Sequence, residues 1–163
     1  MTHPQYQAPG VPGAASEPPL WAPYYGAPFK VAIQRFFKKY ATFHGRASRS
    51  EYWWWALVSV LVSFVINIIS GAGAAATTDL TTGTGGAGSM FGIILGFLWF
   101  AATIVPSLAL VVRRLHDVNL SGWFLLVVLV PFLGAIALIV MMILPSNPAG
   151  QRYDRPEGQP VGY

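Results

Sequence analysis

Three long apolar stretches without a single charge limit what this chain can fold into. Tyr52–Ser70, Met90–Val112 and Gly122–Leu144 contain no Lys, Arg, Asp or Glu. As α-helices rising about 1.5 Å per residue they would reach about 28, 34 and 34 Å, enough to cross a hydrocarbon core of about 30 Å. A core helix of a soluble protein carries polar residues along one face, and none of the three carries enough of them. Only 10% of the 163 residues are charged, against about a quarter in an ordinary soluble domain. The expected fold is therefore an all-α integral membrane protein with three transmembrane helices, at about 52–70, 90–112 and 122–144.

The flanking segments have a different character. Residues 1–28 hold Pro4, Pro9, Pro12, Pro18, Pro19, Pro23 and Pro28 and no Lys or Arg. Such a density of proline stops both helix and sheet, and the few apolar residues cannot offset the entropy of ordering. A disordered Pro-rich N-terminal tail is expected. It lacks the basic region and apolar core of a signal peptide. From Phe29 the spacing turns helical: at about 100° per residue Phe29, Ala32, Ile33, Phe36, Phe37 and Tyr40 share one arc. Lys30, Gln34, Arg35, Lys38 and Lys39 take the other. Aromatic opposite cationic predicts a basic interfacial amphipathic helix over about 29–41, lying in the headgroup plane. Residues 71–89 are rich in Gly, Ala and Thr and read as a flexible loop. Residues 113–121 form a tight polar link. The membrane domain spans 29–157, with a C-terminal tail at 158–163.

Cation placement predicts sidedness. Lys30, Arg35, Lys38, Lys39, Arg46 and Arg49 precede the first span, and the 71–89 loop has no Lys or Arg. The positive-inside bias puts the N-terminus in the cytoplasm, the loop outside and Arg113 and Arg114 inside again. Three full spans would leave Arg152 and Arg155 outside. Pro131 and Gly134 allow a rival in which 122–144 turns back as a re-entrant hairpin and the tail stays inside. Non-helical backbone at that depth needs protein shielding, which favours the straight or kinked span.

Within the spans, Ser59, Ser63 and Asn67 recur every four residues and stack on one face, a stripe suited to helix packing. Gly92 and Gly96 form a small-xxx-small pair that lets backbones approach. Pro106 strips the Ala102 carbonyl of its usual donor, and Thr103 and Ser107 are placed to relieve this.

The polar chemistry is concentrated at the span ends. Ser48-Arg49-Ser50-Glu51 reads as a capping box, in which the Ser48 hydroxyl accepts from the Glu51 amide and the Glu51 carboxylate reaches back to the Ser48 amide. Ser121 is placed to cap the third span. Arg113, Arg114, His116 and Asp117 form the densest group, with Arg113 and Asp117 spaced to pair. Glu51, His116 and Asp117 make up a polar interfacial cluster. Arg46, Arg49, Arg113 and Arg114 would share one interface and could bind lipid phosphate, which Arg grips bidentately. Absence of Cys removes disulfides and thiolate chemistry. His3 and His44 are isolated, so no metal site, catalytic residue or cofactor is assigned. The net charge of +4 is explained by the bilayer surface, not by nucleic acid. Expected partners are the bilayer, anionic headgroups and a homo-oligomer or membrane partner.

Three blocks together resemble the domain-of-unknown-function 805 family of small bacterial inner-membrane proteins: Phe43-His44-Gly45-Arg46-Ala47-Ser48-Arg49-Ser50-Glu51-Tyr52-Trp53, Arg113-Arg114-Leu115-His116-Asp117, and Ser121-Gly122-Trp123. The resemblance covers about 29–157. The family's tail pattern is kept here at Gly150, Arg152, Tyr153 and Pro156. What it implies is a multi-pass protein of the bacterial inner membrane with no established activity. The leading expectation is a non-enzymatic scaffold or sensor. A second is an oligomeric small-solute transporter or channel component using Ser59, Ser63, Asn67, Thr103 and Ser107. A third is an interfacial enzyme acting on a phosphorylated lipid through His116 and Asp117.

Overall fold

The computed structural model describes residues 17–77 and 86–154. Among them every regular element is helical: α1 (Phe29–Lys38), α2 (Arg49–Thr77), α3 (Ala87–Asp117), a 3-10 helix (Gly122–Leu129), α4 (Leu133–Ile143) and a short 3-10 helix (Pro148–Tyr153). Residues 1–16 of the expected tail, 78–85 of the expected loop, Arg155 and the 158–163 tail lie outside the described residues.

Helices α2 and α3 are long and apolar enough to cross a membrane by length and composition. They form an antiparallel pair. Its contact line runs from Gly73 against Gly88, through Ser70 against Gly92, to Ile66 against Gly96. A Cβ on Gly88 would overlap the Gly73 backbone, and one on Gly92 would overlap Ser70. These glycines let the backbones touch, which is why α2 continues to Thr77 and α3 starts at Ala87 instead of a loop spanning 71–89. Gly92 and Gly96 both lie on this contact line, facing Ser70 and Ile66 of the same chain. Outside the contact line the pair presents large apolar side chains, with Ile93 71% and Phe97 68% exposed. Such a surface suits lipid and not water.

Residues 122–144 depart from a continuous third span. The 3-10 helix ends at Leu129, and α4 begins only at Leu133 after a turn in which Phe132 has φ +60°. Pro131 removes a donor at this point and clashes with a helical carbonyl four residues earlier. Gly134 then lies so close to the Val127 carbonyl that any Cβ would overlap it. Both ends return to one turn of α3. Gly122 packs on Val112 and His116, while Arg114 donates to the carbonyls of Met142 and Leu144. Each arm is about 16 Å long, from eight residues of 3-10 helix at about 2.0 Å and eleven of α-helix at about 1.5 Å. That is about half a hydrocarbon core. The backbone thus folds back on itself here and does not run on as the straight or kinked helix expected. Ser121 still caps, its hydroxyl accepting from the Trp123 amide at 3.4 Å, but the helix it opens is the 3-10 arm.

Helix α1 lies across the beginning of α2. Phe36 stacks on Trp55 with ring centroids 3.4 Å apart, and Phe29 meets Trp54 edge-on at 5.4 Å. Its aromatic face therefore packs largely on protein, although Phe29 and Phe37 stay half exposed. Residues 17–28, expected to be disordered, instead run as a strap over α1. Ala27 donates to Ser50 Oγ at 2.9 Å and accepts from Trp54 Nε1 at 3.1 Å.

Candidate functional site

The polar residues of the chain meet where α2 begins and α3 ends, and they form three groups. The first centres on Glu51. The capping box forms as its spacing requires: the Ser48 amide donates to Glu51 Oε2 at 2.9 Å, and the Glu51 amide donates to Ser48 Oγ at 3.2 Å. The other carboxylate oxygen takes Arg35 Nε at 2.7 Å and has Lys39 Nζ at 3.8 Å. Arg35 spreads the rest of its guanidinium over the carbonyls of the strap, Pro18, Pro19, Leu20 and Ala22, and over Glu17 at its rim. A guanidinium has enough donors in one plane to satisfy such a fan of acceptors. The helical arc placed Arg35 and Lys39 on the cationic face expected to meet lipid headgroups; they are in fact 1% and 4% exposed. Burial holds the Lys39 amine well below its usual range, at about 8, with Glu51 opposing the shift.

Asp117 organises the second group, and it is fully buried. Its Oδ2 takes Arg114 Nη1 at 2.6 Å and the Ser146 hydroxyl at 2.5 Å. Its Oδ1 takes the Tyr25 hydroxyl at 2.8 Å and faces Arg46 at 3.7 Å. Arg46 in turn forms a two-pronged pair with Asp154, at 2.9 and 2.6 Å. One carboxylate thereby ties the strap, the α1–α2 connection, α3 and the segment after α4. Burial, with the bond to Asp117 next, pushes the Tyr25 phenol up. The expected pairing of Arg113 with Asp117 is replaced by the Arg114 pair. Arg113 Nε instead donates to the Ala109 carbonyl at 3.2 Å.

His116 anchors the third group. Its Nδ1 lies 3.1 Å from the Gly45 carbonyl, and its ring stacks on Tyr153 at 4.0 Å and 5°. Arg152 sits over the far reach of the Tyr153 ring at 4.7 Å. Gly45 adopts φ +79° and bonds back to the Tyr153 carbonyl. A cleft of about 370 Å³ opens here between Phe43, His44, His116, Arg152 and Tyr153.

The structure does not bring the four arginines of the expected phosphate site to one surface. Arg113 and Arg114 are 1% and 0% exposed, and Arg46 is engaged by Asp154. Arg49 alone of the four is exposed, beside a groove of about 320 Å³ walled by Ser50, Trp53, Trp54 and Leu57. Nor do Glu51, His116 and Asp117 converge; each heads its own group. Ser63, Asn67, Gly96 and Thr103 do share a groove between α2 and α3, of about 280 Å³, while Ser59 is half-buried beside it. Among the described residues no three His, Asp or Glu side chains gather as a metal site requires. Sequence reasoning missed Tyr25, Arg35, Ser146 and Asp154. Tyr25 lies in a segment without periodicity, Arg35 is read by its helical arc alone, and Ser146 and Asp154 follow the last apolar stretch, where no helical spacing links them to α3.

A family model described as protein of unknown function (DUF805) matches residues 40–155. Inner membrane protein YhaI of Escherichia coli (strain K12) is 34% identical over 119 residues, covering 71% of this chain and 86% of that protein. Inner membrane protein YhaH of the same organism is 32% identical over 122 residues, covering 71% and 87%. No solved structure matches. The matched region contains Arg46, Glu51, Arg114, His116 and Asp117, while the strap and α1 precede it.

Proposed function

The chain belongs to the DUF805 family, and on that premise we propose that it is a non-enzymatic scaffold or sensor of the bacterial inner membrane. Helices α2 and α3 cross the bilayer, the 122–144 hairpin enters and leaves on one side, and the interlocked polar head faces the cytoplasm. The observation that carries this reading is the closed set of partners on Asp117. A carboxylate taking Arg114, Tyr25, Ser146 and Arg46 at once is built to hold segments together, not to exchange protons with a substrate. The cytoplasmic placement is supported by the cations: every described Lys and Arg precedes Tyr52 or follows Val112. Exposed Arg49, over its aromatic groove, is the residue of the expected cluster positioned to meet an anionic headgroup.

Because the chain has no Cys, single engineered cysteines report sidedness cleanly. In intact cells an impermeant maleimide should label Ala87→Cys and leave exposed Gln151→Cys untouched until the membrane is opened. Labelling of Gln151→Cys from outside would discard the hairpin topology. Transport remains the second reading, favoured by the Ser63, Asn67 and Thr103 groove at mid-helix. It needs a second element to close that groove, and Gly92 and Gly96 are already committed within the chain.

A further inference from the structure

We propose that the small cavity between the strap and the end of α1 is a binding site for a phosphate-sized oxyanion, held by Lys38, Lys39, Thr42 and His44. The cavity measures about 100 Å³ and is completed by Leu20 and Trp21. A cavity of this size suits a small tetrahedral oxyanion better than a nucleoside. Two lysines, an imidazole and a hydroxyl line it, and no carboxylate does. Lys38 and His44 are exposed at its rim, so an anion has a way in.

The charge behind the cavity wall is unbalanced. Arg35 and Arg113 are buried with Lys39 and act on its amine; the buried carboxylate opposing them is Glu51, while Asp154, the other acid in its field, is already paired with Arg46. Glu17 meets Arg35 only at the exposed edge. Arg113 Nε turns back to the Ala109 carbonyl at 3.2 Å, and its Nη2 is buried with no partner. Buried cations are ordinarily paired, because an unpaired one forfeits its hydration without return. The excess positive field at this end of α1 is therefore what an incoming dianion would neutralise, directly at Lys38 and Lys39 and through space from Arg113. The depressed Lys39 amine fits the same account, since a bound phosphate would raise it again. None of this depends on which side of the membrane the head faces, nor on a scaffolding role.

The ligand chemistry is a terminal phosphate, and it has two possible sources: free phosphate or a phosphomonoester lipid headgroup. The test uses the full chain in nanodiscs of zwitterionic lipid, titrated with inorganic phosphate against chloride at matched ionic strength. Binding is read by phosphorus NMR line width and melting temperature. A second series replaces part of the lipid with phosphatidic acid. Saturable binding in either series, weakened at least tenfold by Lys38→Gln with His44→Gln and unchanged by substitution of an exposed cation outside the cavity, Lys30→Gln, supports the site and names its source. Both substituted residues are exposed, so folding is preserved. Identical behaviour in phosphate and chloride with no effect of phosphatidic acid, or binding indifferent to the double variant, overturns it.

Discussion

The Tyr40 hydroxyl donates to the Ala102 carbonyl at 2.9 Å, and that carbonyl is the one Pro106 leaves without a helical donor. Thr103 and Ser107, the local candidates for this task, make other bonds. Thr103 Oγ1 bonds the Trp99 carbonyl at 2.7 Å, and Ser107 Oγ accepts from Trp55 Nε1 at 3.1 Å. The break in α3 is thus closed from outside, by the residue just beyond α1, and it locks α1 to the helix pair.

Tyr40→Phe should lower stability by about 0.5–1.5 kcal/mol, the net contribution of an ordinary hydrogen bond, since this one is exposed on the surface of the helix pair. Thermal melts in detergent followed by Trp fluorescence would show it. In a Pro106→Ala background the carbonyl regains its own amide donor, and Tyr40→Phe should then cost close to nothing. An equal loss in both backgrounds would separate Tyr40 from the proline.

Asp117→Asn keeps the shape of the hub and removes its charge, leaving Arg114 buried beside a neutral amide. A loss of about 3–5 kcal/mol is expected, as for other buried pairs broken on one side. Asp154→Asn should cost less, because its carboxylate sits nearer solvent. Chemical denaturation of the two variants in the same micelle ranks them; the reverse order would displace Asp117 from the centre of the head.

Gly134→Leu forces a side chain into the Val127 carbonyl, so the two arms of the hairpin cannot close. The variant should unfold locally or convert 122–144 to a longer helix. Local unfolding lowers the melting temperature, whereas a spanning helix makes Gln151→Cys reachable by an impermeant maleimide from outside. Stability and protection both identical to those of the parent chain would show that the close approach of Gly134 is dispensable.

Lys39 gives a pH signature. An amine at about 8 in the folded chain against 10.5 unfolded binds fewer protons folded than unfolded between those values. Its contribution to stability is therefore unfavourable and flat below pH 8, and it improves as pH rises through that window. In phosphate-free buffer Lys39→Met should be more stable than the parent at pH 7, and the gap should shrink from pH 8 upward. A gap that stays constant to pH 10 would place the Lys39 amine in ordinary surroundings.

Much of the head was legible one element at a time. The Ser48–Glu51 box forms with both of its expected bonds because capping is a local event, governed by residues three apart. The Ser121 cap also follows from a near neighbour, the Trp123 amide, though the helix it opens is a 3-10 arm. Arg35 was misassigned for the opposite reason. A helical arc sorts residues by direction, and it cannot register that a proline-rich strap will lie across the polar side and supply carbonyls for a guanidinium.

What the chain determines by sequence alone is its solvent and its grain. Charge-free length and the clustering of Lys and Arg are properties of the string, and the cost of placing ions in hydrocarbon turns them directly into apolar helices and a charged end. Only the tertiary structure decided which cations are buried, that Asp117 takes Arg114 in place of Arg113, and that 122–144 folds back at Pro131. Those outcomes depend on contacts between segments as far apart as Tyr25 and Ser146, and the free energy of such contacts exists only once their partners are brought together in space.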